Sequence, residues 1–141
     1  MKRKRLTVED LMSTAVISLN EMDTVGRAHL EMHVASIRHI PVVDGRNHVV
    51  GILSNRDLIR ALADGRTQIP VGQMMTRTVR TVRTSTAAFD AVTMLMDDKI
   101  GSLPVIGDDE QLVGIVTETD FLAVAQQALR GVNVSSRPLE A

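Results

Sequence analysis

Apolar residues along this chain recur with a helical period and a strand period, and the whole alternation occurs twice. Val25, Ala28, Met32 and Ala35 fall at helical spacing, as do Ala88, Ala91, Val92, Leu95 and Met96. Asp23/Thr24 and Ser85/Thr86 stand ahead of these runs as N-cap candidates. Two short apolar runs follow each helix: Ile40–Val43 with Val49–Leu53, then Leu103–Ile106 with Leu112–Val116. The linkers Asp44-Gly45-Arg46-Asn47 and Gly107-Asp108-Asp109-Glu110 carry turn residues, so each pair reads as a hairpin. Closing helices are expected at Arg56–Ala63 and Thr119–Leu129. Ahead of each long helix, a helical turn (Val8–Met12, Val71–Met75) leads into a short strand near Val16–Leu19 or Val79–Val82.

The two halves superpose in sequence without a gap at an offset of 63 residues (71 − 8). Val8, Met12 and Val16 then fall on Val71, Met75 and Val79, Pro41-Val42 on Pro104-Val105, Val50-Gly51-Ile52 on Val113-Gly114-Ile115, and Asp57 on Asp120. Matches clustered in the same short motifs mark an internal duplication. The expected organisation is a basic tail (1–5), a first repeat (6–64), a linker (65–70), a second repeat (71–129) and a C-terminal tail (130–141). A β-α-β-β-α unit of roughly 60 residues buries little apolar surface alone. The fold class expected is therefore α/β (α+β), with two such repeats packed sheet to sheet about a pseudo-twofold axis.

Composition narrows the function. A net charge of −1 over 141 residues gives no global attraction to nucleic acid or membrane. No cysteine is present, which excludes disulfides and thiolate metal sites and fits the cytoplasm. No apolar run approaches the ~20 residues of a membrane span. Phe89 and Phe121 are the only aromatic side chains, so no stacking platform for single-stranded nucleic acid is expected. The basic run Lys2–Arg5 reads as a solvated tail; its alternative is an arm contacting nucleic acid or an acidic partner.

The order of motifs resembles the cystathionine-β-synthase-type (CBS) domain family. The resemblance is carried by Met12-Ser13 and Met75-Thr76, by the hydrophobic-Pro-Val steps Ile40-Pro41-Val42 and Leu103-Pro104-Val105, and by the runs Gly51–Asp57 and Gly114–Asp120. It implies a tandem pair, or Bateman module, with two clefts between the repeats. It also implies an adenosine-containing regulatory ligand (AMP, ADP, ATP or S-adenosylmethionine) and a disc-like homodimer.

Ser54-x-x-Asp57 and Thr117-x-x-Asp120 each stand where a strand runs into a helix. Free N–H groups and a positive dipole at a helix start favour an anion. A hydroxyl there suits a phosphate or ribose oxygen, and a carboxylate suits the vicinal hydroxyls of a ribose. The same spacing also describes a helix capping box. The resemblance places adenine beside Ile40-Pro41 and Leu103-Pro104 and the first-strand residues Ala15, Val16, Thr78 and Val79; read without it, each proline is a strand-edge residue with core packing. Arg38, His39 and Arg56 are candidates for phosphate, against Gly101, Ser102 and Thr119 in the second repeat. Two non-equivalent clefts are expected, and plain surface charge is the alternative.

His29 and His33 have metal-capable spacing, but without an obvious third ligand they read as a solvated helix face. The methionines read as packing for the core and a subunit interface. The sequence holds no phosphate-binding P-loop, no Gly-x-Gly-x-x-Gly and no nucleophile elbow. The expectation is a non-catalytic sensor acting on an unknown protein effector. The alternatives are a scaffold with degenerate clefts and a nucleic-acid accessory protein working through the basic tail.

Overall fold

The computed structural model describes residues 5–131. Most of the basic run and the end of the C-terminal tail lie outside these residues. The elements are helix α1 (Val8–Leu11), helix α2 (Val25–Ala35), strands β1 (His39–Val43) and β2 (Val49–Ser54), and helix α3 (Asn55–Ala63). A 3-10 turn (Val71–Gln73), strand β3 (Val82–Arg83), helix α4 (Ala88–Asp98), strands β4 (Ser102–Ile106) and β5 (Leu112–Thr117), and helix α5 (Glu118–Leu129) repeat the pattern. The two β-α-β-β-α units pack together as the duplication predicts.

Both hairpins form in the same register. β1 pairs antiparallel with β2, joining His39 to Ser54, and β4 pairs with β5, joining Ser102 to Thr117. Asp44 shapes the first turn by accepting from Arg46 N–H (2.8 Å) and His48 N–H (3.0 Å). These bonds hold its carboxyl below the usual carboxylate range. Asn47 and Glu110, at matching places in the two turns, take left-handed φ values of 63° and 64°. Ser36 and Lys99 do the same as C-caps of α2 and α4 (55° and 53°).

The first strand of each repeat is shorter than the sequence predicts. In repeat one it reduces to a single parallel bridge between Leu19 and Val42; in repeat two it is β3, paired in parallel with β4. Of the predicted strand residues only Leu19 and Val82 are buried; Val16, Ile17, Val79 and Thr81 are half-buried, and Ser18 and Arg80 are exposed. The early part of each segment bonds to the other repeat instead. Ser13 and Ile115 exchange backbone hydrogen bonds of 2.9 and 3.0 Å, and Thr76 and Ile52 exchange two of 2.9 Å. One expected cap also moves. Thr24 caps α2 by accepting from Arg27 N–H, but α4 starts after Ala87, and Thr86 Oγ1 accepts from Arg83 N–H in the preceding turn.

The repeats exchange their leading turns. Val8 is buried with Val82, Ala91, Leu95 and Leu103 of repeat two, while Val71 and Met75 are buried with Leu19, Val25, Ile40 and Leu53 of repeat one. Val8 N–H donates to Thr86 C=O (2.8 Å) and Val71 N–H to Asp23 C=O (2.8 Å). Burying one valine contributes about 1.5–3 kcal/mol, so each core depends on the other repeat's first turn. Two glycines make room. A Cβ on Gly51 would lie 2.4 Å from Met75 Sδ, and one on Gly114 would lie 2.7 Å from Met12 Sδ and 3.0 Å from Ser13 O.

Candidate functional site

The residues that carry the candidate chemistry gather at the ends of β2 and β5. Both predicted boxes form. Ser54 Oγ donates to Asp57 Oδ2 (2.8 Å), Ser54 N–H reaches the same oxygen (3.3 Å), and Asp57 N–H donates to Ser54 Oγ (3.2 Å). In repeat two, Asp120 Oδ2 accepts from Thr117 N–H (2.8 Å) and Thr117 Oγ1 (3.3 Å). Every hydrogen bond to these two carboxylates falls on Oδ2. Among the described residues Oδ1 takes none in either. Capping and ligand acceptance are therefore compatible at one aspartate.

A third box passed unnoticed in the sequence. Asp10 Oδ2 accepts from Thr7 N–H (2.9 Å) at the start of α1. Its Thr-x-x-Asp spacing was the available signal. No strand of the hairpin type leads into it, so the motif alone denotes a cap, and the strand-to-helix setting distinguishes the other two.

The start of β1 brings the two junctions together. Asn55 N–H donates to Arg38 C=O (2.8 Å) and Glu118 N–H to Gly101 C=O (3.2 Å). The His39 ring lies on Gly101, where an added Cβ would come 2.6 Å from Cε1 and 2.9 Å from Nε2. Any side chain at Gly101 would displace the imidazole, a constraint that the sequence showed only as a glycine opposite a histidine. Burial pushes the His39 pKa below its usual value, Glu118 opposes that, Arg38 adds to it, and Asp57 again opposes. His39 thus senses the acidic starts of both closing helices.

Ile40, Pro41, Leu103 and Pro104 are buried. Ile40 and Leu103 belong to the two cores, so only their backbones are available to a ligand edge. Ser102 occupies the place in repeat two that His39 holds in repeat one. Its Oγ is buried without a hydrogen-bond partner among the described residues, a condition that costs about 1–3 kcal/mol. Arg38 and Arg56 are exposed.

Of the first-strand candidates, Ala15 and Thr78 are exposed and Val16 and Val79 half-buried. Val79 lines a cavity of about 320 Å³ near the hairpin tips, with His48, Val49, Arg77 and Glu110. The rings of His29 and His33 are 6.5 Å apart on α2, and no group of three potential metal ligands occurs among the described residues.

The CBS domain family matches residues 8–64 and 71–126. The chain belongs to the CBS domain family. CBS-domain pairs are non-catalytic regulatory modules, and this chain is one. Among solved structures, it is similar to the CBS pair of protein MJ0100 in complex with 5-methylthioadenosine and S-adenosyl-L-methionine (26% identity, TM-score 0.82, covering 89% of this chain and 99% of that one). It is also similar to CBSX2 in complex with AMP (28% identity, TM-score 0.76, covering 88% and 98%); a further structure of CBSX2 comes from Arabidopsis thaliana. A curated relative is the inosine-5'-monophosphate dehydrogenase of Methanocaldococcus jannaschii, 30% identical over 81% of this CBS pair. The pair spans only 22% of that protein's length. No helix among the described residues is long and apolar enough to cross a membrane.

Proposed function

We propose that this CBS pair is a cytoplasmic adenine-nucleotide sensor that takes AMP, ADP, ATP or a related adenosyl compound between its repeats. It passes occupancy to a protein effector through the geometry of a homodimer. The observation that carries this reading is the pair of aspartates, Asp57 and Asp120, each capping a helix through Oδ2 and keeping Oδ1 available for ribose hydroxyls. Two further features support it. The Ser102 hydroxyl has no hydrogen-bond partner among the described residues, and the similar CBS pairs were solved with AMP and with adenosyl ligands.

On this reading the clefts differ. Arg38 and Arg56 supply positive charge, and His39 an imidazole, on the side of repeat one, and Gly101, Ser102 and Thr119 supply no charge on the side of repeat two. Phosphate-rich nucleotides favour the first setting, and an uncharged or cationic adenosyl tail is tolerated by the second. Occupancy switches the dimer only where the ligand prefers one geometry over another.

The test is thermal unfolding with AMP, ADP, ATP, S-adenosylmethionine and NADH, each in excess. A ligand at about 100 times its dissociation constant stabilises by about 2.7 kcal/mol. The expected result is a selective rise in melting temperature that Asp57→Ala combined with Asp120→Ala abolishes. A flat response to every compound overturns the sensor reading in favour of an interaction module. A shift that survives the double substitution overturns the ribose role.

A further inference from the structure

The hairpin tips of the two repeats meet away from the strand-to-helix junctions. Leu112 N–H donates to Asn47 C=O (3.0 Å), Asn47 Nδ2 donates to Leu112 C=O (3.1 Å), and His48 bridges to Gln111. Near these tips lies the cavity of about 320 Å³. β2 starts at its wall with Val49 and ends at Ser54, about 16 Å away along an extended strand. Ligand pockets run from about 300 to 1,000 Å³ and favour seams between folded units, so this one suits a single small molecule.

The wall has an apolar part and two opposite charges. Val49 and Val79 are half-buried and Ile106 is buried. Arg77 and Glu110 supply the charges. Each is held by a residue that does not line the cavity. Arg77 Nη2 lies 2.9 Å from Glu21 Oε1 and donates to Gly72 C=O (2.9 Å), and Glu110 Oε1 accepts from Arg83 Nη2. Among the described residues, Arg77 Nη1 and Nε and Glu110 Oε2 have no hydrogen-bond partner. Both ion pairs are neutral, so the wall draws in no net charge, yet it offers guanidinium donors and a carboxylate oxygen to one small space.

The duplication supplies an internal comparison. At the offset that aligns the repeats, Val49, Val79 and Ile106 fall on Leu112, Val16 and Val43, all apolar. Arg77, Glu110 and His48 fall on Thr14, Asn47 and Gln111, all uncharged. The shared fold therefore requires the apolar positions and not the charges.

We propose that this cavity binds a free α-amino acid with an apolar side chain. The carboxylate lies on the Arg77 guanidinium, the ammonium on Glu110 Oε2, and the side chain on Val49, Val79 and Ile106. Glu110 opposes a phosphate and Arg77 opposes a simple amine, so only a molecule carrying both charges engages both groups. Apart from Val79, none of these residues is a candidate for the adenine clefts, and the site does not depend on the nucleotide reading.

The test is titration of the isotope-labelled full chain with L-leucine, L-valine and L-methionine, without nucleotide, followed by backbone amide NMR signals. The expected result is a saturable shift at His48, Thr81 and Glu110, which line the cavity, with Ser54 and Asp57 unmoved. The acid that lacks the ammonium of the best binder, and the amine that lacks its carboxylate, should each bind about tenfold or more weakly, as should the amino acid itself to Arg77→Gln or Glu110→Gln. No saturable shift with any of the three amino acids overturns the site. A shift confined to Ser54–Asp57 or Thr117–Asp120 overturns its place. An acid or amine that binds as tightly as its parent, or full affinity in both variants, overturns the recognition of the two charges. The unsubstituted chain decides the first two outcomes, so they stand even where a variant fails to fold.

Discussion

The two repeats share a backbone plan down to matching left-handed residues, yet they differ where a ligand would touch them. Repeat one sets Arg38 and His39 at the start of β1 and Arg56 on α3; repeat two sets Gly101 and Ser102 at the start of β4 and Thr119 on α5. The buried positions are conserved between the halves because each core must be filled. The polar ones have diverged because a duplicated site need not keep two copies of one task. The pairing of His39 with Gly101 links two of these differences: the ring on one side fits where the other side has no side chain.

The largest effects test whether the repeats are one cooperative unit. Ile40→Ala and Leu103→Ala remove fully buried, corresponding side chains and should each cost about 2–5 kcal/mol. Because the leading turns are exchanged, chemical denaturation should show one transition lowered by either change. Two separated transitions would mean that the repeats unfold independently.

Next come the glycines that admit the exchanged methionines. Gly114→Ala meets backbone at Ser13 O as well as Met12, so it should cost about 1–3 kcal/mol. Gly51→Ala has its three nearest contacts on the Met75 side chain, which can shift, and should cost less. Equal melting temperatures for the two variants would break this distinction. Smaller again are the caps. Ser54→Ala and Thr117→Ala should each lose about 1 kcal/mol, read from denaturation midpoints.

The smallest effects sharpen the comparison. Lys99→Gly relieves a left-handed C-cap and should raise stability by about 0.5–1 kcal/mol. His39 has a folded pKa held below its unfolded value near 6.5. The unfolded chain therefore binds the proton more readily, and the histidine's contribution to stability is lost as pH falls below about 6.5. Replacing it with the residue of repeat two, His39→Ser, should flatten the acid side of the stability profile below about pH 6.5. An unchanged slope would remove His39 as the group responsible.

Much of this was legible in the sequence because it depends on local spacing. The duplication, both hairpins and the closing helices follow from apolar period and turn residues, and the boxes Ser54-x-x-Asp57 and Thr117-x-x-Asp120 were identifiable as spacings. Their double character was not, since only coordinates assign the capping bonds to one carboxylate oxygen. The first strands were overextended because alternation in Val16–Leu19 and Val79–Val82 does not reveal which residues reach a core. Placing the cap of α4 at Ser85 or Thr86 failed for a related reason: the Thr86 hydroxyl was already engaged by Arg83 N–H.

By itself, the sequence determined the two-repeat architecture, the CBS family and the residue types present at each junction, because these rest on short-range pattern and on repetition. The tertiary structure alone decided that each leading turn completes the other repeat's core, that His39 lies on Gly101, and that the Ser102 hydroxyl is left without a partner among the described residues. Those outcomes depend on contacts between residues far apart in the chain. Burial and hydrogen-bond competition select among such contacts, and no local spacing records which of them prevails.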